Sequence, residues 1–261
     1  MPEIAIAVHK WPTLQGIPVK GVLCDISGVL SESSSEGDGV AIAGSVEAVN
    51  RLREAGLRIK FVTNESARTR SSLHAKLTRL GFSINMVDIL TPAMAMMILI
   101  KEQNLRPHLL VHPDVLADFG TTATNDPNCV VIGDCAHHFT FDKLNEAFQV
   151  LAKSSSTSLF SLGKGKFYRE DKDLQLDVGP FAAALEFASE RKAVICGKPD
   201  PSFFKSGLSA LDISAEHVVM VGDDIVSDVG GAQAAGIRGV QVRRTIIYHL
   251  QIAKQLFAWL L

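Results

Sequence analysis

The chain of 261 residues holds only four cysteines, and no two of them form a CxxC pair. Cys24, Cys129, Cys135 and Cys196 are widely spaced, and Cys24 and Cys196 sit inside strand-like apolar runs. This usage excludes a disulfide framework and reads as reduced, intracellular thiols. Long apolar runs are missing too. No stretch reaches 18 residues, and the N-terminal "IAIAV" is too short for a signal-peptide core. The tail "TIIYHLQIAKQLFAWLL" comes nearest, but His249 and Lys254 interrupt it. The expectation is a soluble protein without a membrane partner, cytoplasmic, with the nucleus as a second compartment. Nor is there an excess of charge. With 26 Lys+Arg against 28 Asp+Glu the formal net charge is −2, so no polyanion signature is present and no nucleic-acid partner is expected. The "GKGK" at 163–166 lacks the GxxxxGK[ST] spacing of a nucleotide loop and reads as a turn. "CAHH" at 135–138 has no second ligand pair at zinc spacing.

What the chain does have is core material: 47% of its residues are hydrophobic and 21% charged. Short β-like runs alternate with helical ones. "VKGVLCD", "LRIKFVT" and "VDILT" read as strands; "GSVEAVNRLREAG", "RTRSSLHAKLTRLG" and "AMAMMILIKEQ" read as helices, the first capped by Ser45. A second series follows, with strands "LRPHLLVH", "CVVIG" and "SLFSLG" and the helix "DKLNEAFQVLAK". From about residue 190 the first pattern resumes with "AVICG", "PSFFKSGLSAL", "HVVMVG", "SDVGGAQAAG" and "RGVQV". Alternating elements of this kind predict an α/β fold with a doubly wound, Rossmann-like parallel sheet. The expected division is a core at 18–99 and 188–243, an inserted α/β cap at 100–187, and an apolar tail at 244–261.

In such sheets ligands bind beyond the carboxyl ends of the strands. Four predicted strands end in polar residues: Asp25-Ile26-Ser27-Gly28, Thr63-Asn64, Gly197-Lys198-Pro199, and Gly222-Asp223-Asp224 with Asp228 four residues on. A carboxylate such as Asp25 can attack phosphorus and form an aspartyl-phosphate. A hard divalent cation, Mg²⁺, relieves the repulsion between that carboxylate and an anionic phosphoryl group, and Asp25 and Asp223 can supply its ligands. Asp224 and Asp228 would stand behind them. Lys198, the Thr63 hydroxyl and the Asn64 amide or backbone N–H groups can hold phosphoryl oxygens. Gly28 and Gly222 permit close backbone turns.

The set "DISGV", "VTNES", "GKPDPSFF" and "VGDDIVSDVGGAQAAG" resembles the four motifs of the haloacid dehalogenase superfamily of phosphatases. The insertion between the second and third motifs resembles the subgroup with a large α/β cap. Further segments, among them "TNESARTR", "SLGKGKFYRE" and "GAQAAGIRGVQVR", resemble one branch of it over residues 18–243. That resemblance implies a Mg²⁺-dependent phosphatase acting on pyrophosphate and on phosphorus–nitrogen bonds, including those of phospholysine and phosphohistidine, and homodimerisation through the cap. By matching position, Asp25 would be nucleophile and metal ligand, Asp223 a metal ligand, and Ser27 a metal ligand through its carbonyl. Asp25, Ile26, Ser27, Thr63, Asn64 and Lys198 would contact the phosphate.

Position 27 departs from most of the superfamily, where an aspartate serves there as general acid. A serine hydroxyl is far too weak an acid for that task. Two readings follow: a site that binds phosphate without turnover, or substrates whose leaving groups need no acid. A phosphate-ester phosphatase of the same superfamily is the remaining alternative. The tail after residue 243 also departs from the family, with Ile246, Leu250, Ala253 and Phe257 near one helical face.

Overall fold

Alternate side chains of the run 21–25 face two different apolar layers, and this places the first strand at the centre of the molecule. Val22 and Cys24 join a cluster with Ile59, Phe61 and Val219, while Leu23 joins another with Val62, Val218 and Met220. The computed structural model describes residues 13–14, 16–32, 38–170 and 173–242, so the expected tail segment lies outside the described residues.

Two parallel sheets are built from β1 (Gly21–Asp25), β2 (Arg58–Val62), β3 (Ile89–Leu90), β4 (Pro107–Leu110), β5 (Cys129–Ile132), β6 (Ser158–Ser161), β7 (Val194–Ile195), β8 (Val218–Gly222) and β9 (Arg238–Gln241). The first has the order β9-β8-β1-β2-β3, and the second β7-β6-β5-β4. Every pairing in both is parallel, as helical crossovers require. The helices are α1 (Ser45–Glu54), α2 (Arg70–Arg79), α3 (Pro92–Glu102), α4 (Phe141–Ala152), α5 (Val178–Ser189), α6 (Pro201–Leu211) and the short α7 (Gly231–Ala234). None of them is long and apolar enough to cross a membrane.

Helices cover both faces of both sheets. On the first, α1 and α2 bring Val49, Leu52, Leu73 and Leu77 to Val22 and Phe61; α6 brings Phe203, Phe204 and Leu211 to the Leu23 face. On the second, α3 packs Ala93, Met96 and Ile100 on Cys129 and Val131, while α4 and α5 pack Ala147, Leu151 and Leu185 on Val130 and Ile132. Helix α3 also turns Ala95 toward the first sheet, so one helix touches both cores. All four cysteines are buried and free.

The structure corrects three expectations. The strand at 194–195 does not resume the first sheet: Val194 and Ile195 pair with Phe160 and Ser161, and the Cys196 N–H donates to the Ser161 carbonyl at 2.8 Å. The second sheet therefore closes only after residue 187, because a two-residue strand carries no pattern that names its partner. Ser45 does not cap α1. Gly44 does, in a left-handed conformation (φ 83°), while the Ser45 hydroxyl donates to the Leu30 carbonyl at 3.0 Å. Finally, α5 and the antiparallel hairpins at 13–18, 31–41 and 167–176 add elements that the alternation did not mark.

Phe61 is fully buried between β2 and the α1–α2 layer. Phe61→Ala is expected to cost about 3–5 kcal/mol of unfolding free energy in urea titrations, the range for a large aromatic lost from a core. A loss below about 1 kcal/mol would show that the α1–α2 layer does not depend on it.

Candidate active site

Strands β1, β2 and β8 run parallel and in register, so their carboxyl ends open on one edge of the first sheet. Asp25 ends β1, Thr63 and Asn64 follow β2, and Asp223 follows β8. The fourth contribution arrives from the other sheet: β7 runs out through Cys196 and Gly197 to Lys198. The Lys198 ammonium lies 2.7 Å from Asp25 Oδ1 and 2.6 Å from Asp228 Oδ1, and also donates to the Val62 carbonyl at 3.4 Å. All three side chains are buried, with Asp228 at 0% exposure. One carboxylate oxygen each from Asp25, Asp223 and Asp228 lies within 4.8 Å of the other two.

Local backbone explains the convergence. Gly28 has φ +82° and sits against the Asp223 carboxylate, so a Cβ there would overlap Oδ2. Gly222 leaves room in the same way for Asp228. After Asp224 the chain winds through a π-helical turn, Ile225–Gly230, a feature common at functional sites. Asp224 caps it, its Oδ1 accepting from the N–H groups of Val226 and Ser227 at 2.8 and 2.7 Å. That turn carries Asp228 inward, where Oδ2 accepts from the Asp224 N–H at 3.1 Å.

The Asn64 amide bonds the backbone of Lys198. Its Oδ1 accepts from the Lys198 N–H at 2.8 Å, and its Nδ2 donates to the Lys198 carbonyl at 2.9 Å. This reciprocal pair fixes the lysine backbone, and Gly197 is required beside it, since a Cβ would stand 2.8 Å from Asn64 Oδ1. The amide thus holds the Lys198 backbone in place. The buried Thr63 hydroxyl accepts from the Glu65 N–H at 3.1 Å and shapes the same loop. Ile26 is buried, and its carbonyl accepts from Leu30 and Ser31 N–H groups at 2.9 and 3.1 Å. Ser27 is exposed at the open edge. Two further bonds tie this loop region to the second sheet: Asp134 N–H to Ser66 Oγ at 3.2 Å, and Arg70 N–H to Asp118 Oδ2 at 2.9 Å.

The electrostatics call for a cation. Burial pushes the Asp25 carboxyl up to about 7, with Lys198 pulling it down and Asp228 adding to the rise. Asp223 is raised as well, by burial first and then by Asp228. Burial opposes the Lys198 charge, but Asp25 and Asp228 outweigh it and hold that ammonium above its usual value. Three carboxylates and one ammonium sum to a formal −2, and the hard oxygen donors of Asp25 and Asp223 suit a small divalent cation.

Sequence reasoning therefore located Asp25, Asp223 and Lys198 together, while Asp228 stands closer than expected, in direct ion pair with Lys198. Its signal was the four-residue spacing from Asp224, which turns its side chain back beneath the loop. Ser66 carried no signal, because its partner lies 68 residues away.

Residues 22–133 match the haloacid dehalogenase-like hydrolase family model, and residues 195–250 match a second, HAD-hydrolase-like model. The chain is 52% identical to the phospholysine phosphohistidine inorganic pyrophosphate phosphatase of Homo sapiens over 225 residues, 86% of this chain and 83% of that protein. Its fold is similar to p-nitrophenyl phosphatase from Archaeoglobus fulgidus (TM-score 0.78, 23% identity, 86% of each chain). It is also similar to a glycerol phosphate phosphatase from Mycobacterium tuberculosis in complex with magnesium (TM-score 0.74, 22% identity, 85% of this chain and 67% of that one). The two matched stretches together include every strand of the first sheet but the first residue of β1, with part of the second, and with a relative 52% identical over 86% of the chain they show that the chain belongs to the haloacid dehalogenase-like hydrolases.

Proposed function

We propose that this chain is a Mg²⁺-dependent phosphatase that hydrolyses inorganic pyrophosphate and phosphorus–nitrogen bonds, such as those of phospholysine, phosphohistidine and imidodiphosphate. The observation that carries the reading is the buried Asp25–Lys198–Asp228 cluster at the strand ends of a chain 52% identical to a phosphatase named for those substrates. Lys198 holds Asp25 Oδ1, which leaves Oδ2 as the attacking atom. Attack by Oδ2 forms an O–P bond and breaks the bond to the leaving phosphate or nitrogen, and water then cleaves the aspartyl-phosphate to restore the carboxylate. Asp25, Asp223 and the Ser27 carbonyl would hold Mg²⁺, which supplies charge neutralisation at the phosphoryl oxygens. Asp228 keeps Lys198 charged and in place, and Asn64 fixes the backbone that carries it.

Ser27 sets the substrate class. With a hydroxyl at this exposed position, nothing there delivers a proton to an alkoxide, which is a strong base. A phosphoramidate nitrogen can arrive already protonated, and a departing phosphate is a weak base. Such substrates do without the acid that a phosphate ester needs. This separates the reading from an ester phosphatase of the same fold.

General acid catalysis contributes roughly 10²–10⁴-fold, so turnover of a sugar phosphate is expected to fall at least about a hundredfold below that of pyrophosphate or imidodiphosphate. Asp25→Asn should abolish release from every one of them. Equal kcat/KM for the sugar phosphate would refute the assignment, and a fully active Asp25→Asn would remove the mechanism. A second test concerns the cation. Gly28→Ala should weaken Mg²⁺ binding by calorimetry roughly 10–100-fold, the range for disturbing a ligand's support, with the fold intact by circular dichroism. Unchanged Mg²⁺ affinity would show that Asp223 does not serve as a ligand.

A further inference from the structure

At the opposite end of the first sheet lies a cavity of about 470 Å³, within the range of small-ligand sites. Its wall includes Arg58 and Lys60 from β2, Arg53 from the end of α1, and Asp212 from the end of α6. Arg58 is the first residue of β2, and β2 pairs in register with β1 from Gly21 to Asp25. At about 3.3 Å per residue Arg58 stands roughly 13 Å along the strand from the Asp25 edge.

The cations in this wall are incompletely used. Lys60 is satisfied, donating to Asp88 Oδ1 at 3.0 Å and to the Val87 carbonyl at 3.1 Å. Among the described residues Arg58 donates through one nitrogen, Nη1 to the Leu211 carbonyl at 2.7 Å. Arg53 makes a longer ion pair, Nη2 to Asp88 Oδ2 at 3.5 Å, with its side chain 30% exposed and its guanidinium over the Phe61 ring at 6.0 Å. Each guanidinium offers five N–H donors in a planar fork. Among the described residues, neutralising the carbonyl end of α6 accounts for a single donor of Arg58, and both guanidinium residues line the cavity with donors to spare. Three cations face two acids, Asp88 and Asp212, and Asp88 is already shared between Arg53 and Lys60. The buried side chains of Leu57 and Leu211 form the apolar part of the same wall, and Arg58 itself is exposed.

We propose that this cavity is a second ligand site, binding a small multivalent oxyanion of the phosphate type through the guanidinium forks of Arg53 and Arg58. It is separate from the catalytic edge and does not depend on the substrate assigned to it. The simplest probe is inorganic phosphate, titrated calorimetrically into the full chain in EDTA. Without a divalent cation the Asp25 cluster carries a formal −2 and repels phosphate, so binding under these conditions reports the other site. The wild type should bind with a measurable affinity, and Arg53→Gln/Arg58→Gln should raise the Kd at least about tenfold. Ala210→Glu is the companion variant: Ala210 is exposed at the cavity, so this change removes no native bond and adds a competing carboxylate. It too should suppress binding, and its unfolding temperature without phosphate should match the wild type. No binding by the wild type in EDTA, or equal binding by wild type and Ala210→Glu, would overturn the proposal.

Discussion

One buried ammonium organises this molecule. Lys198 lies between Asp25 and Asp228, with all three out of water, and each carboxylate is tolerable there only because the lysine is present. Removing one partner from a buried ion pair costs about 3–5 kcal/mol, because the other charge is left without compensation. The cluster is consequently a poor device for stability and a good one for placement. It fixes the end of β1 against the turn after β8, and leaves a formal −2 that a divalent cation can balance.

The origin of that lysine matters as much as its partners. It hangs from the last strand of the second sheet, while both carboxylates belong to the first. Asn64 then closes the junction, bonding both polar groups of the Lys198 backbone from the loop after β2. Any shift of the second sheet relative to the first moves the ammonium relative to Asp25. The bonds of Ser66 with Asp134 and of Arg70 with Asp118 lie along the same seam. Packing between the two cores, carried in part by α3, therefore reaches the chemistry directly.

Much of this was legible in the sequence, for physical reasons. A fully buried parallel strand reads as an apolar run, and a carboxylate at its end, as in "GVLCD", has little structural reason to be there. Four such endings in one chain mark a shared edge, and Asp25, Asp223 and Lys198 do meet. The illegible parts depend on partners distant in sequence. Val194 and Ile195 are too few to declare which sheet they join. Asn64 has an amide that suits a phosphate or a peptide equally, and only the fold decides that it takes the Lys198 backbone. Asp228 looked like support and proved to be a direct partner of Lys198: its spacing from Asp224 marked it as part of the cluster, but nothing in "DDIVSDVGG" marks the π-helical turn that brings it within ion-pair distance. The two-residue hairpin strands at 13–18 and 31–41 are below the length at which alternation can be seen.

The most direct test of the central claim is where a divalent cation settles. Crystals grown with Mn²⁺ in place of Mg²⁺, with anomalous data, should show one dominant peak within roughly 2.1 Å of an oxygen of Asp25 and an oxygen of Asp223. Lys198 should still bridge Asp25 and Asp228 beside it. A dominant peak away from Asp25 and Asp223, or none at millimolar Mn²⁺, would contradict the account.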